Sequence, residues 1–498
     1  MRRLRFGTAL AVLAMLSSCG GGGGGGGNPA PPVAGPTPTP PPPPSSSLCS
    51  LSSRKSWAEA QLREWYLFPE TLPASLNPAA YATVDDYIDA LTATARAQRR
   101  DRYFTYLTSI QEENAFYNSG SSAGFGVRFS YDTAQNRVFV IEAFENTPAL
   151  AAGIDRGTEL LAIGTNGGNM QLVSQLMAQG GAQAVSDALG PSTVGTTRLL
   201  RIADSAGTRE VSVTKQDYEL TPVSSRYGAK IIDDNGRKAG YLNLRTFINT
   251  ADPALRSAFA SFKAAGVTDI IVDVRYNGGG LVSIAELIGD LMGANRSGSD
   301  VFSFTTFRQE KSSNNDTRFF QPKPQSIAPT RIAFIGTTGS ASASEMIINA
   351  FIPYLGNRAA LIGTNTYGKP VGQIALDQAS CDDRLRVVAF KTENASRQGD
   401  YYDGLASKVE ASCKAGDDIT RQLGDPQEAS TRAALDFLAG KACTPISGGA
   451  GGISAQQSLS GKRELLTPRR RSACAEPFPR RSVRSFSRRT RRRWKRRS

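Results

Sequence analysis

Strand-like and helix-like stretches alternate from residue 218 to residue 442, which confines this part of the chain to an α/β layered body. Ala239-Gly-Tyr-Leu-Asn-Leu-Arg245 reads as a strand and 253–265 as a helix. Val267-Thr-Asp-Ile-Ile-Val-Asp-Val274 is a short apolar run of the kind that forms a buried strand, and 281–292 has helical spacing. Two more strands, 331–336 and 359–362, flank a helix that starts near Ser344. With 498 residues, 40% of them hydrophobic, the chain has room for this body and one or two further domains.

The sequence contains no histidine. That removes the Ser-His-Asp triad, histidine metal sites and histidine acid–base catalysis in one step. A hydrolase built from this chain has to use lysine, carboxylates or cysteines alone. Two strand-to-helix turns carry the candidate chemistry. The first is Asp273-Val-Arg-Tyr-Asn-Gly-Gly-Gly280. It fails the G-x-G-x-x-G dinucleotide pattern at Ser283 and has no G-K-[ST], which argues against a nucleotide. The same geometry also suits backbone N–H groups that face a developing oxyanion.

The second turn is Ser340-Ala-Ser-Ala-Ser-Glu345, at the end of the apolar run 331–336. The first lysine downstream of it is Lys369, in Tyr367-Gly-Lys369. A serine hydroxyl is a poor nucleophile without a base, and lysine serves as one once burial disfavours its ammonium form. Ser342 at a helix start would also present the Ala343 N–H to an oxyanion. If the chain from Lys369 is a strand, Lys369 and Gln373 share one face, and Gln373 can orient the amine. The bland alternative is a capping box, with Ser342 as N-cap and Glu345 three residues on.

The remaining stretches decide delivery and address. Residues 1–19 have a basic start and a short apolar core ending in Leu16-Ser-Ser-Cys19, which resembles a bacterial lipobox with Cys19 as the lipidated residue. Residues 20–48 are a Gly run followed by a Pro-rich spacer, expected to act as a tether. With Gly20 after the cysteine, the expected location is the cell envelope, outer membrane or periplasm in a Gram-negative host. An exported chain favours disulfides among Cys49, Cys381, Cys413 and Cys443, with Cys381–Cys413 and Cys49–Cys443 as the expected pairs. Residues 49–118 read as an N-terminal helical module, with Trp57, Leu62 and Trp65 as its buried face and no catalytic constellation. Residues 119–217 contain Gly124-Phe-Gly-Val127 before short strands, a series that resembles a PDZ domain of the bacterial protease type. There the backbone N–H groups of Gly124, Phe125, Gly126 and Val127 would meet a peptide carboxylate, and the next strand edge would take the peptide.

The net charge of +14 is confined to the tail. Residues 462–497 hold sixteen Lys and Arg against two Glu, so the first 460 residues sum to zero. The tail, 443–498, is expected to be disordered, with no nucleic-acid role required of it.

Residues 50–440 resemble the C-terminal processing peptidases, or tail-specific proteases. The resemblance rests on Asp273–Gly280, on Ser340–Glu345 and on Gly363-Thr-Asn-Thr-Tyr-Gly-Lys-Pro-Val-Gly-Gln373. It implies a crotonase/ClpP-like α/β protease domain over 218–442 within a multidomain α/β (α+β) chain. It further implies Ser342 as nucleophile, Lys369 as general base, Gln373 as its orienting partner, and the N–H groups of Gly279 and Ala343 as oxyanion donors. Asn277-Gly-Gly-Gly280 stands where the family usually has Asn-Pro-Gly-Gly. Polypeptide tails are the implied partners, with a membrane reached through the lipid anchor and no metal or cofactor; an adaptor or a homo-oligomer stays open. A non-catalytic, PDZ-like peptide-binding lipoprotein is the alternative.

Overall fold

Apolar residues on both faces of consecutive parallel strands build the central layer of the α/β body. In the computed structural model, which describes residues 47–447, Arg237–Asn243, Asp269–Asp273, Arg331–Gly336, Ala359–Gly363 and Ala411–Lys414 lie side by side, all parallel. Ala229–Asp234 adds an antiparallel edge. Successive residues alternate between faces. Ile270, Val272, Ile332 and Phe334 join a core with the helices Ala251–Ala264, Val282–Leu291 and Ala343–Leu355. Ile271, Ala333 and Ile335 point the other way, against helix Ala429–Leu438. Such two-sided burial explains why these strands read as unbroken apolar runs. The mixed α/β multidomain class is as expected.

A second sheet was not anticipated in full. Tyr106–Ser109, Asp383–Glu393, Val301–Phe307 and Asp316–Phe319 form it in that order, and Val371–Gln378 pairs with Asp383–Glu393. Helices Leu51–Trp65 and Val84–Leu91 pack on this sheet, and Leu62, Tyr66 and Tyr87 share one core with Val371, Leu385 and Val388. The N-terminal stretch is therefore not a separate helical module. Leu62 is fully buried as predicted, whereas Trp57 and Trp65 are only partly covered. Residues after Val371 are shared between the layers: strands Val371–Gln378 and Asp383–Glu393 belong to the second sheet, whereas Ala411–Lys414 belongs to the first, with helix Ala429–Leu438 packed on it.

Residues 127–214 form a sheet of their own around a separate core that includes Phe125, Val138, Ile163 and Leu200, with helix Val173–Leu189 packed on it. A two-stranded ribbon, Ser121–Gly124 with Gln216–Glu219, leads in and out. Strand Val127–Asp132 is an edge, paired only with Arg137–Ala143 among the described residues.

The four cysteines pair differently from the expectation. Cys49 bonds Cys381 and Cys413 bonds Cys443, each with Cα atoms 5.4 Å apart. The expected Cys381–Cys413 pair fails because Cys381 follows a strand of the second sheet while Cys413 lies within the first. Cys443 returns past helix Ala429–Leu438 to Cys413, where Lys414 N–H donates to Thr444 O at 2.7 Å. Non-reducing peptide mapping is expected to recover Cys49–Cys381 and Cys413–Cys443 and no mixed pair. Cys19 and residues 448–498 lie outside the described residues.

Candidate active site

Two tight turns, one glycine-rich and one serine-rich, interlock at the carboxyl ends of neighbouring parallel strands. Asn277 organises the first turn. Its amide donates to Leu244 O at 2.9 Å and its side-chain oxygen accepts from Gly279 N–H at 2.9 Å. Its backbone carbonyl reaches across to the second turn, accepting from Ala341 N–H at 3.2 Å and from the Ser344 hydroxyl at 2.7 Å. Gly279 and Gly280 have φ of 107° and 145°, which disfavours any side chain there. A Cβ on Gly279 would also lie 2.9 Å from Ser342 Cβ, so the serine turn packs directly on bare backbone.

The three serines separate by environment. Ser340 is buried, donating to Val274 O at 2.7 Å and accepting from Thr337 N–H at 3.0 Å. Ser344 is also buried, with its hydroxyl committed to Asn277 O. Ser342 is partly exposed and sits at φ 56°, ψ −113°, a region that non-glycine residues rarely adopt. Helix Ala343–Leu355 begins immediately after it, so the Ala343 N–H belongs to the first turn, where no intrahelical acceptor exists.

Glu345 joins this turn to the lysine. Its carboxylate is fully buried and accepts four hydrogen bonds. One oxygen, Oε2, takes both Ser342 N–H at 3.0 Å and Lys369 N–H at 2.7 Å. The other takes the Thr366 hydroxyl at 2.6 Å and Gly368 N–H at 2.7 Å. Burial pushes its carboxyl pKa up, against the pull of these donors. Tyr367 N–H adds a bond to Ser340 O at 2.9 Å. The backbone of the candidate nucleophile and that of the candidate base are thus tied to a single atom.

Lys369 is 3% exposed, and its Nζ donates to Gln373 Oε1 at 2.6 Å. The Gln373 amide in turn donates to Phe104 O. The one-face argument for this pair is only partly right. The strand starts at Val371, after the lysine, and a register shift between Gly372 and Gln373 intervenes. That bulge re-aims the side chain.

Beneath the glycine turn lies a charged cluster that sequence reasoning did not single out. Arg275 is 1% exposed and donates to Asp273, Asp417 and Glu428. Glu428 caps helix Ala429–Leu438, and no local pattern ties it to Arg275, 153 positions away. Glu345 had a signal, the serine three residues before it, but that signal reads as a helix cap. The four residues of the predicted peptide loop lie together: Gly124 ends the connecting ribbon, Phe125 is buried, Gly126 is at φ 81°, and Val127 opens the edge strand. Phe125 O accepts from Ala149 N–H at 3.0 Å, and an apolar recess runs past Phe125, Val127, Phe129 and Leu160. Among the described residues no group of His, Cys, Asp and Glu is arranged to hold a metal ion.

Comparison with known proteins points one way. Residues 238–401 match the model of Peptidase family S41. The chain is 26% identical over 335 residues to carboxyl-terminal-processing peptidase 3, chloroplastic, of Arabidopsis thaliana; this covers 66% of the chain and 61% of that protein, less than two thirds of its length. It is 24% identical over 387 residues to the carboxyl-terminal-processing protease of a Synechocystis strain, covering 76% of the chain and 82% of the relative. Among solved structures, a putative S41 protease from Bacteroides fragilis shares the fold, with a TM-score of 0.60 at 21% identity over 77% of this chain and 97% of that one.

Proposed function

Taking as premise that the chain carries a family S41 peptidase domain over residues 238–401, we propose that it is a serine endopeptidase that hydrolyses polypeptide tails, with Ser342 as nucleophile and Lys369 as general base. The observation that carries this reading is the shared bond of Ser342 N–H and Lys369 N–H to one oxygen of Glu345.

In the proposed cycle the neutral Lys369 amine takes the proton of the Ser342 hydroxyl as Oγ attacks the scissile carbonyl carbon. The tetrahedral oxyanion accepts from Ala343 N–H and from Gly279 N–H, which exchanges Asn277 Oδ1 for the substrate oxygen. Collapse expels the amine, which takes the proton from the Lys369 ammonium, and leaves an ester on Ser342. Water, deprotonated by the same lysine, then attacks the ester; collapse expels Ser342 Oγ, which takes that proton back from the Lys369 ammonium, and the new carboxyl group is released. Gln373 keeps the amine aligned throughout. Burial works in the same direction, because a dry pocket disfavours the charged amine at rest.

Residues 119–217 act in this reading as a PDZ-like receptor. A tail would add as a strand to the open edge Val127–Asp132, with its carboxylate at the Gly124–Val127 loop. Lipidation at Cys19 would hold the enzyme at the cell envelope.

Treatment with a fluorophosphonate probe and peptide mapping tests the site. The expected adduct is on Ser342, forming faster as pH rises and Lys369 loses its proton. An adduct confined to another serine, or cleavage that survives without any labelled residue, would sink the assignment.

A further inference from the structure

We infer that the turn Asp101–Phe104, remote from the serine in sequence, is a working part of the lysine pocket, with Phe104 as a positioning residue for Lys369 and Gln373; the inference rests on Lys369 being the base. The argument begins with the two ends of an amide. Gln373 is fully buried, and its orientation decides whether the lysine meets an acceptor or a donor. With Oε1 facing the lysine at 2.6 Å, Gln373 accepts an amine hydrogen and sets no donor of its own against the nitrogen. In the flipped orientation the NH2 group would donate into the amine lone pair and block the base. The acceptor that selects the productive orientation is Phe104 O, bonded to Gln373 Nε2 across 269 positions of sequence.

Phe104 contributes a second contact. Its ring centroid lies 4.6 Å from Lys369 Nζ and 6.0 Å from the Tyr367 ring. An aromatic face attracts a cation, so the ring favours the ammonium that forms when the serine is deprotonated. The other ionisable groups packed around the lysine's turn are Glu345 on its backbone N–H, Arg102, Tyr367, and Tyr401 and Tyr402 from the neighbouring turn.

The turn is built to hold this carbonyl still. Asp101 is fully buried and accepts from Phe104 N–H at 2.7 Å, from Thr105 N–H at 3.1 Å and from the Tyr66 hydroxyl at 2.8 Å. Arg102 grips the segment before the lysine, donating to Tyr367 O at 2.7 Å, to Gly368 O and to Tyr402 O at 3.2 Å. Its guanidinium also stacks 4.1 Å from the Tyr367 ring centroid. The turn between the N-terminal helices and strand Tyr106–Ser109 thus completes the pocket.

The test measures kcat and KM against pH for Phe104→Leu, Phe104→Tyr, Arg102→Lys and Lys369→Met in the full chain, on one tail peptide. Phe104→Leu is expected to lower kcat about tenfold or more with KM within about twofold, the signature of lost positioning rather than lost binding. Its acid limb of kcat/KM should move to lower pH, because the contact that favours the ammonium is gone. Phe104→Tyr keeps the ring face and should recover most of both. A folded Phe104→Leu enzyme whose kcat and acid limb match the parent overturns the inference, even if its Tm has fallen. Should that variant not fold, Arg102→Lys decides: lowered kcat at constant KM supports the pocket, and parental kcat overturns it. Activity retained in Lys369→Met would remove the base assignment itself, and with it this inference, whatever the Phe104 variants do.

Discussion

Ser342→Ala is expected to lower kcat on an unstructured tail substrate by about 10⁴- to 10⁶-fold, with KM and thermal stability close to the parent. The size follows from the proposed roles, in which the variant loses the covalent route while the Gly279 and Ala343 N–H groups stay. Stability should hold because alanine bears the same backbone strain at φ 56° and Ser342 is the partly exposed member of the run. Ser340→Ala and Ser344→Ala should behave in the opposite way. Each removes a buried hydroxyl that donates to a carbonyl at 2.7 Å, so each should cost about 1–3 kcal/mol of stability and keep measurable turnover. Assays of kcat and urea unfolding on the three variants separate the roles. Near-parental turnover in Ser342→Ala, with collapse in Ser340→Ala or Ser344→Ala, would move the nucleophile by one register and refute the assignment. Lys369→Met keeps the volume of the buried side chain and deletes the amine; its kcat should fall to a similar floor.

The contrast between what was legible in the chain and what was not follows the range of the interactions. Strands such as Arg331–Gly336 emit a strong local signal because both faces are buried, which forces an unbroken apolar run. The serine turn and the Lys369–Gln373 pair are equally local, and the absence of histidine made lysine the base to look for. Strand Val301–Phe307, with its mix of Ser, Thr and Phe, is half-covered and gave no comparable pattern. The cysteine pairs depend on which sheet each residue enters, which neither spacing nor loop length specifies. Glu345 was visible only as a cap, because its other three donors come from a loop more than twenty residues away. Phe104 holds Gln373 through its carbonyl, an atom every residue has, and meets Lys369 with a ring that no local pattern ties to that lysine.

Arg275→Met should cost about 3–5 kcal/mol of unfolding free energy near neutral pH, the second large effect expected of this molecule. Arg275 is enclosed by Asp273 and Glu428, both fully buried, and by Asp417, which it reaches at 3.0 Å. Removing the guanidinium strands the two buried carboxylates without a cationic partner, since Asp273 keeps the Tyr241 hydroxyl as a donor side chain and Glu428 keeps neutral donors from Asp418, Ser430 and Thr431. The pH dependence identifies the cause. Burial pushes the Glu428 carboxyl up, but the bond and charge of Arg275 outweigh it and hold the group below its ordinary value. A carboxylate with a depressed folded-state pKa contributes stability above its unfolded value of about 4.3, and that contribution disappears as pH falls through the folded value. In Arg275→Met the contribution is absent at every pH. The gap between parent and variant should therefore be widest near pH 7 and narrow as the medium is acidified below about pH 4. Urea unfolding of both proteins at the two pH values measures it. A gap that stays constant would assign the loss to packing alone, and one that widens in acid would contradict the charge account. The same variant should lower turnover beyond its stability cost, because the guanidinium anchors the backbone whose carbonyl accepts the Thr337 hydroxyl beside the serine turn, and that backbone loses its anchor.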